Sequence, residues 1–395
     1  MRVSDDGCVE LPGLVDHHTH LLKQASGVPF AWQPAGTVRQ FHEQVAASGS
    51  TPMDVPEPDA DEPLVALAGR LRRALAEAAR TGLTEVTEMG MRSWWYLDAL
   101  DRAAAEQPLP ARVRIYLASG LAGQSSLAEL RARRDGTAPW VRLDGVKFYS
   151  DGWLVPRTCA LCAPFDHEGH DGVLFLDAAA LARRIEPLAA DGWRIATHAI
   201  GDRAAETVLD AYELAWGGDR RAIAAAAPRI EHGAVLSADL AARIAALGVA
   251  VCLQPSFAVT DAPQIPAALG ADRIGTAYPW ALLAEAGVTL LAGTDFPIEV
   301  IHPLVGLARL VRGRSDRDGF ADTNTAPPHS RLPADVALAI GSDERAGRTR
   351  LTADPRAVAS EDIDAIEVIG TAPVPFADRR PNPGGLALGL RPSPA

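Results

Sequence analysis

The stretch Leu11-Pro-Gly-Leu-Val-Asp-His-His-Thr-His20 sets the reading of the fold. It is an apolar run of strand length that ends in imidazoles. Side chains alternate between the two faces of a strand, so His18 and His20 share one face and His17 takes the other. The first two suit a shared metal ion, and His17 reads as structural. Seven further apolar runs follow it: Leu83–Glu88, Val113–Ser119, Gly145–Ser150, Arg194–Ala199, Arg229–Gly233, Val249–Gln254 and Thr289–Thr294. Alanine- and leucine-rich segments of helical period separate them. The clearest is Glu62–Arg80, with Leu64, Leu67, Leu71, Leu75 and Ala78 on one face. Others are Trp94–Ala105, Ser126–Arg134, Ala178–Ala190, Ala204–Trp216, Ala238–Leu247, Trp280–Ala286, Leu304–Val311 and Pro333–Ile340.

Eight strand–helix units in succession predict an α/β protein of the (β/α)₈ TIM-barrel type rather than an open doubly wound sheet. No glycine fingerprint for a dinucleotide opens the first helix. The expected division is a barrel over 11–342, a reduced β-sandwich remnant from 1–10 and 343–377, and an irregular tail over 378–395. Gly49–Glu62 and Arg312–Pro333 read as loops, the second as a candidate lid.

In a TIM barrel the C-terminal strand ends carry the chemistry. Lys147 ends the fourth run, His198 the fifth, His232 the sixth, and Asp295 follows the eighth. Of 38 basic residues only Lys23 and Lys147 are lysines. Arginine stands wherever charge alone is wanted, which points to Lys147 doing something arginine cannot. Its readings are an ion-paired lysine, a carbamate bridging two metals, or a Schiff-base amine. A lone histidine at a strand end is more often a bonded core residue, but two on successive strands facing one mouth suggest a site. An acid at a buried strand end must be paired, hydrogen-bonded or metal-bound. Four imidazoles, an amine and a carboxylate suit zinc, with manganese, iron or nickel as alternatives. Such a centre would acidify a water, and Asp295 would carry its proton to a leaving nitrogen.

The net charge of −12 excludes a phosphate backbone and an anionic membrane surface as partners, leaving a small-molecule substrate. Homo-oligomerisation is left open. Met1–Glu10 carries acids where a secretion signal carries bases, and no run of about 18 apolar residues occurs. Four cysteines in a chain of 395 are too few for a disulfide framework, so a reducing cytoplasm is expected. Cys159-x-x-Cys162 lacks a second pair and reads as packing. His167 and His170 read as a solvated loop.

Pro12-Gly-Leu-Val-Asp-His-His-Thr-His-Leu21, Gly145-Val-Lys-Phe-Tyr-Ser-Asp-Gly152 with Arg157-Thr158, Thr197-His-Ala-Ile-Gly-Asp-Arg-Ala204, Arg229-Ile-Glu-His232 and Gly293-Thr-Asp295 occur in this order. Together they resemble the amidohydrolase superfamily, and within it the YtcJ-like amidohydrolase-3 group that includes N-substituted formamide deformylases. The resemblance implies a metal-dependent hydrolase of carbon–nitrogen bonds other than peptide bonds. It implies metal ligation by His18, His20, a carboxylated Lys147, His198 and His232, with one or two ions. Asp295 would be both ligand and general acid/base. Arg157, Asp202, Arg203 and Glu231 become candidates for contact with substrate or with the ligands. Trp153 and His302 join them by position. A deaminase, decarboxylase or isomerase on the same barrel, or an inactive binding protein, are the rival readings. Members of this group carry a long insertion after strand one and a full terminal β-sandwich. Here Leu21–Glu62 is short and Arg348–Val374 reads as a remnant.

Overall fold

The computed structural model describes residues 2–3, 7–26, 56–57 and 62–377. Eleven strands form one sheet. Eight of them run parallel in chain order: β2 (Val9–Thr19), β3 (Leu83–Met91), β4 (Arg112–Ala118), β5 (Val141–Tyr149), β6 (Arg194–Ala199), β7 (Arg229–His232), β8 (Ala250–Leu253) and β9 (Thr289–Ala292). Every residue of β3, β5, β6, β7 and β8 is buried, as expected of parallel strands covered on both faces.

The chain beyond β9 bonds back to β2. Thr19 bridges Phe296 in parallel, Asp295 N donates to His18 O at 2.7 Å, and His20 N donates to Phe296 O at 2.7 Å. Three strands are antiparallel additions. The first half of β2 pairs with β1 (Arg2–Val3) and with β10 (Ser342–Leu351), which in turn pairs with β11 (Val368–Pro373). β2 therefore belongs to two neighbourhoods, antiparallel at its start and parallel to β3 at its end. The terminal segments extend the main sheet through this strand.

Helices cover the parallel strands. The helix Leu64–Arg80 starts two residues later than its periodicity predicts, because Pro63 has no N–H to give and its fixed φ suits the residue just before a first turn. It buries Leu67, Leu71, Leu75 and Ala78, whereas Leu64, in that first turn, is 38% exposed. Ser126 and Glu129 form a reciprocal capping box on the helix Leu127–Gly136. Short helices at Leu21–Ser26, Arg220–Ala226, Phe257–Thr260 and Ile265–Leu269 fall below the length at which periodicity can be read.

The segment Arg312–Pro333, expected as a loop and candidate lid, is irregular apart from a 3₁₀ turn at Pro328–Ser330, and it is tied down. Arg309 bonds Asp322 at 2.9 and 2.6 Å, Ser315 Oγ donates to Asp364 at 2.7 Å, and Arg317 donates to the carbonyls of Asp364 and Ile366. The loop expected over Gly49–Glu62 lies outside the described residues except at 56–57 and 62, and the tail does so after Ala377. Phe376 sits among guanidinium groups, with Arg112 and Arg142 at 4.3 and 4.5 Å from its ring centre. No helix among the described residues is long and apolar enough to cross a membrane.

Candidate metal centre

His18, His20, Lys147, His198, His232 and Asp295 are all buried and all sit at the C-terminal ends of the parallel strands or directly after them. Register brings them level. Lys147 lies opposite Ala118 and Ala196, Tyr149 opposite His198, and Ala199 opposite His232. The imidazole rings form a chain, with centroids 5.5 Å apart for His18 and His20, 5.0 Å for His18 and His232, and 4.6 Å for His198 and His232. Asp295 Oδ1 lies 3.1 Å from His20 Nε2 and 3.5 Å from His18 Nε2. One donor atom each from His18, His20 and Asp295 fits within 4.8 Å, the span a single cation requires.

The protons can be placed by what each ring faces. His18 Nδ1 meets the Glu231 carboxylate at 2.6 Å, and an ionised carboxylate only accepts, so Nδ1 carries the hydrogen and Nε2 keeps its lone pair. His198 Nε2 meets the carbonyl of Gly152 at 2.9 Å, which leaves its Nδ1 lone pair free by the same logic. Burial pushes His18 down to about 4 and His232 well below the ordinary imidazole range, the latter helped by His198, His18 and Lys147. Burial also lowers His20. These rings are neutral at pH 7, the form that binds metal.

Burial works to raise Asp295, but His18, the bond from His20 and the charge of Lys147 outweigh it and hold the carboxyl below its usual range. Burial drives Lys147 down to about 8, with Glu231 and Asp295 pulling the other way. Its Nζ lies 5.3 Å from the centre of the Tyr149 ring.

Two buried atoms of this group are poorly satisfied: His232 Nδ1 meets no hydrogen-bond partner, and Asp295 Oδ1 meets only His20 Nε2 at 3.1 Å. Burying acceptors without partners costs free energy. A cation among them would remove that cost, so the donor set fits a divalent ion. The backbone is strained at the same two residues, with φ of +76° at His232 and +59° at Asp295. Aspartate and histidine enter this region more readily than most side chains, yet it still costs roughly 1–3 kcal/mol per residue and persists where the surroundings over-determine it.

A buried relay sets the ring of His18. Arg229 clamps Glu231 through Nε at 2.8 Å and Nη2 at 3.0 Å, and Nη2 also reaches the His17 carbonyl at 3.0 Å. Burial would raise Glu231, but Arg229, the His18 bond and Lys147 hold it well below the ordinary carboxylate range. Glu231 is therefore a positioning residue that orients a ligand. His18, Glu231 and the buried Cys252 also lie within reach of one cation, but both oxygens of Glu231 are already engaged by Arg229 and His18.

Asp16 ties the first strand to the last, accepting from Thr294 Oγ1 at 2.6 Å, Thr294 N at 3.0 Å and His18 N at 3.1 Å. Burial lifts it to about 7. Gly293 lies against His18 so closely that a Cβ there would sit 2.4 Å from His18 N. Gly293→Ala is expected to displace β2 at its ligand end, costing ~1–3 kcal/mol of stability and most of the bound metal, as checked by chemical denaturation and elemental analysis. Asp151 accepts from Ala160 N, Ile200 N and Gly201 N at 2.8–3.0 Å and fixes the turn after β5. Glu88 accepts from Leu22 N at 2.9 Å and lies 3.9 Å from His20 Nδ1; burial pushes it up to about 8. Sequence reasoning singled out none of Asp16, Glu88, Asp151 and Arg229. The available signal was an acid or arginine inside an otherwise apolar strand, which demands a partner.

The remaining candidates lie elsewhere. Arg157 pairs with Glu168 and donates to Ala267 O at 3.2 Å. Asp202 accepts from Cys162 N at 2.8 Å, and Arg203 bonds Asp171 at 2.8 Å. These three fasten the segment after β5 to its surroundings. His302 packs against Phe320 with ring centroids 5.4 Å apart, and burial lowers it to about 4. Trp153 is half-buried and lines a cavity beside the centre. His17 is buried and lines a cavity with Arg112, Arg114, Asp144 and Arg229, where the pairing of β2 shifts register between Asp16 and Thr19. Lys23 pairs with Glu57 at 2.6 Å.

A parallel α/β sheet with a buried histidine–aspartate cluster at its strand ends defines a protein with the donors to hold a divalent cation. The fold matches a solved structure of an uncharacterized metal-dependent hydrolase from Pyrococcus horikoshii, at 19% identity and a TM-score of 0.67, over 90% of this chain and 88% of that one. It also matches a Xaa-Pro dipeptidase solved with methionine bound, at 14% identity and a TM-score of 0.54, over 93% and 87% of the two chains. The description of the amidohydrolase family matches residues 57–354, and the chain belongs to that family. The provisionally named amidohydrolase YtcJ of Bacillus subtilis is 35% identical over 183 residues, which is 46% of this chain and 34% of that relative.

Proposed function

We propose that this chain hydrolyses an amide, formamide or related carbon–nitrogen bond in a non-peptide small molecule, using one or two divalent ions, zinc first among them. His18, His20, His198, His232 and Asp295 would hold the metal, with Lys147 joining as a carbamate. The observation that carries this reading is the burial of four imidazoles and one carboxylate together at the strand ends. The same reading takes the eight parallel strands as a closed barrel, supported by the bonds from Asp295 and Phe296 to β2. It takes β1, β10 and β11 as the reduced terminal unit. The absence of a disulfide among the described residues, where all four cysteines lie, supports a reducing compartment.

The bound ion would polarise the carbonyl and acidify a water. The protein's part is proton handling and alignment. Asp295 takes the proton from the attacking water as the new C–O bond forms. It returns that proton to the nitrogen as the C–N bond breaks, giving a carboxylic acid and an amine. Glu231 and Arg229 keep the His18 ring in one tautomer throughout.

Lys147 provides the test. Only the neutral amine adds CO₂, forming the N–C bond of a carbamate and releasing a proton. Below about 8 the side chain is mostly ammonium, and above it mostly amine. Chelated protein reloaded with zinc at fixed dissolved CO₂ should therefore regain activity about tenfold faster per pH unit up to about 8, then level off. Lys147→Ala should not recover, and a short carboxylic acid such as propionate should partly restore it. Full recovery in CO₂-free buffer would remove the carbamate from the mechanism.

A further inference from the structure

Beside the metal centre lies a cavity of about 190 Å³ whose walls include Trp153, Phe257 and Tyr278. It adjoins the centre directly, since Phe257 stacks on His232 with centroids 6.1 Å apart and planes 15° from parallel. Two carboxylates, Asp261 and Glu299, open into it, and among the described residues no arginine, lysine or histidine lines it. Asp261 accepts from the Tyr278 hydroxyl, a neutral partner that leaves its charge unanswered. Among the described residues the cation paired with Glu299 is Arg309 at 3.8 Å, and that guanidinium is committed to Asp322 at 2.6 and 2.9 Å. Burial raises both carboxyls, Asp261 to about 6, so both gain from a positive charge in the cavity. Aromatic faces beside carboxylates attract ammonium groups through the ring quadrupole and through charge.

We propose that this cavity seats a cationic nitrogen of the substrate, so that the enzyme acts on the amide of a molecule bearing an ammonium or guanidinium group a few bonds from the scissile nitrogen. The proposal rests on the hydrolase reading for the word substrate, and its test does not. Choline carries a quaternary ammonium that cannot ligate a metal. Its uncharged isostere, 3,3-dimethylbutan-1-ol, has the same shape. Binding of each to the metal-loaded protein is read by quenching of tryptophan fluorescence and by calorimetry, without turnover.

Choline should bind at least tenfold more tightly than the alcohol. Asp261→Asn with Glu299→Gln should reduce that preference to threefold or less, and Trp153→Leu should weaken choline binding several-fold. Circular dichroism and thermal melts establish that the variants are folded; should the double variant not fold, the single Asp261→Asn carries the same prediction with a smaller loss. Equal affinity for the two probes overturns the proposal, as does a preference that survives these substitutions. Activity on a neutral formamide together with no choline preference would sink this subsite alone. Choline selectivity in a protein without hydrolase activity would sink the hydrolase reading alone.

Discussion

Asp295→Asn should lower turnover by roughly 10²–10⁴-fold while most of the bound metal is retained. The asparagine keeps the shape and one carbonyl oxygen, so the neighbouring imidazoles lose little as ligands. It loses the ability to take a proton from water and return it to nitrogen. In this protein the carboxyl lies against His18 and His20 and is held below its usual range despite burial. Its positive φ fixes where it points. Steady-state kinetics alongside elemental analysis of the same sample separates the two effects. A fall in activity matched by an equal loss of metal would reduce Asp295 to a ligand, and near-normal turnover would remove it from the chemistry.

Arg229→Met should be the most destabilising of the substitutions considered, by ~3–5 kcal/mol, because it strands the Glu231 carboxylate in the core without its counter-ion. Both side chains are fully buried. The double variant Arg229→Met/Glu231→Met should recover much of that stability, since well-packed apolar side chains replace a buried ion pair at little cost. It should not recover metal affinity. Without Glu231, nothing fixes the proton on His18 Nδ1, and loss of such a partner costs about 10–100-fold in affinity. Denaturant titration of the metal-free proteins gives the first quantity, and competition with a chelator gives the second. If the double variant is as unstable as the single one, the cost lies in packing rather than in unpaired charge.

Both expectations concern residues that differ in how legible they are from sequence. The parallel strands could be read because each is an apolar run of the right length between helical segments. The six central residues could be read because they interrupt or end those runs. Strand β9 stops at Ala292 rather than Thr294, since Thr294 turns to bond Asp16. That contact joins residues 278 apart in the chain, and the bond from His18 to Glu231 joins residues 213 apart. Local pattern carries no information at such range. Arg229 illustrates the point: at a strand start it looks like a surface charge, and only the fold turns it inward toward Glu231. The dual pairing of β2 was hidden for a similar reason, because strand periodicity does not say which neighbour each half will find. Arg312–Pro333 has a loop's composition, yet its arginines and aspartates are used to pin it against Asp364 rather than leave it to swing.

The reading depends most on a divalent cation sitting among His18, His20, His198, His232 and Asp295. Elemental analysis of the protein purified without chelator addresses it directly, beside a His18→Ala/His20→Ala variant prepared in the same way. One or more equivalents of zinc or another transition metal per chain, lost in the folded double variant, is the expected outcome. A folded wild-type protein that stays free of metal after growth and reloading in zinc, or a double variant that keeps its full complement, would contradict it.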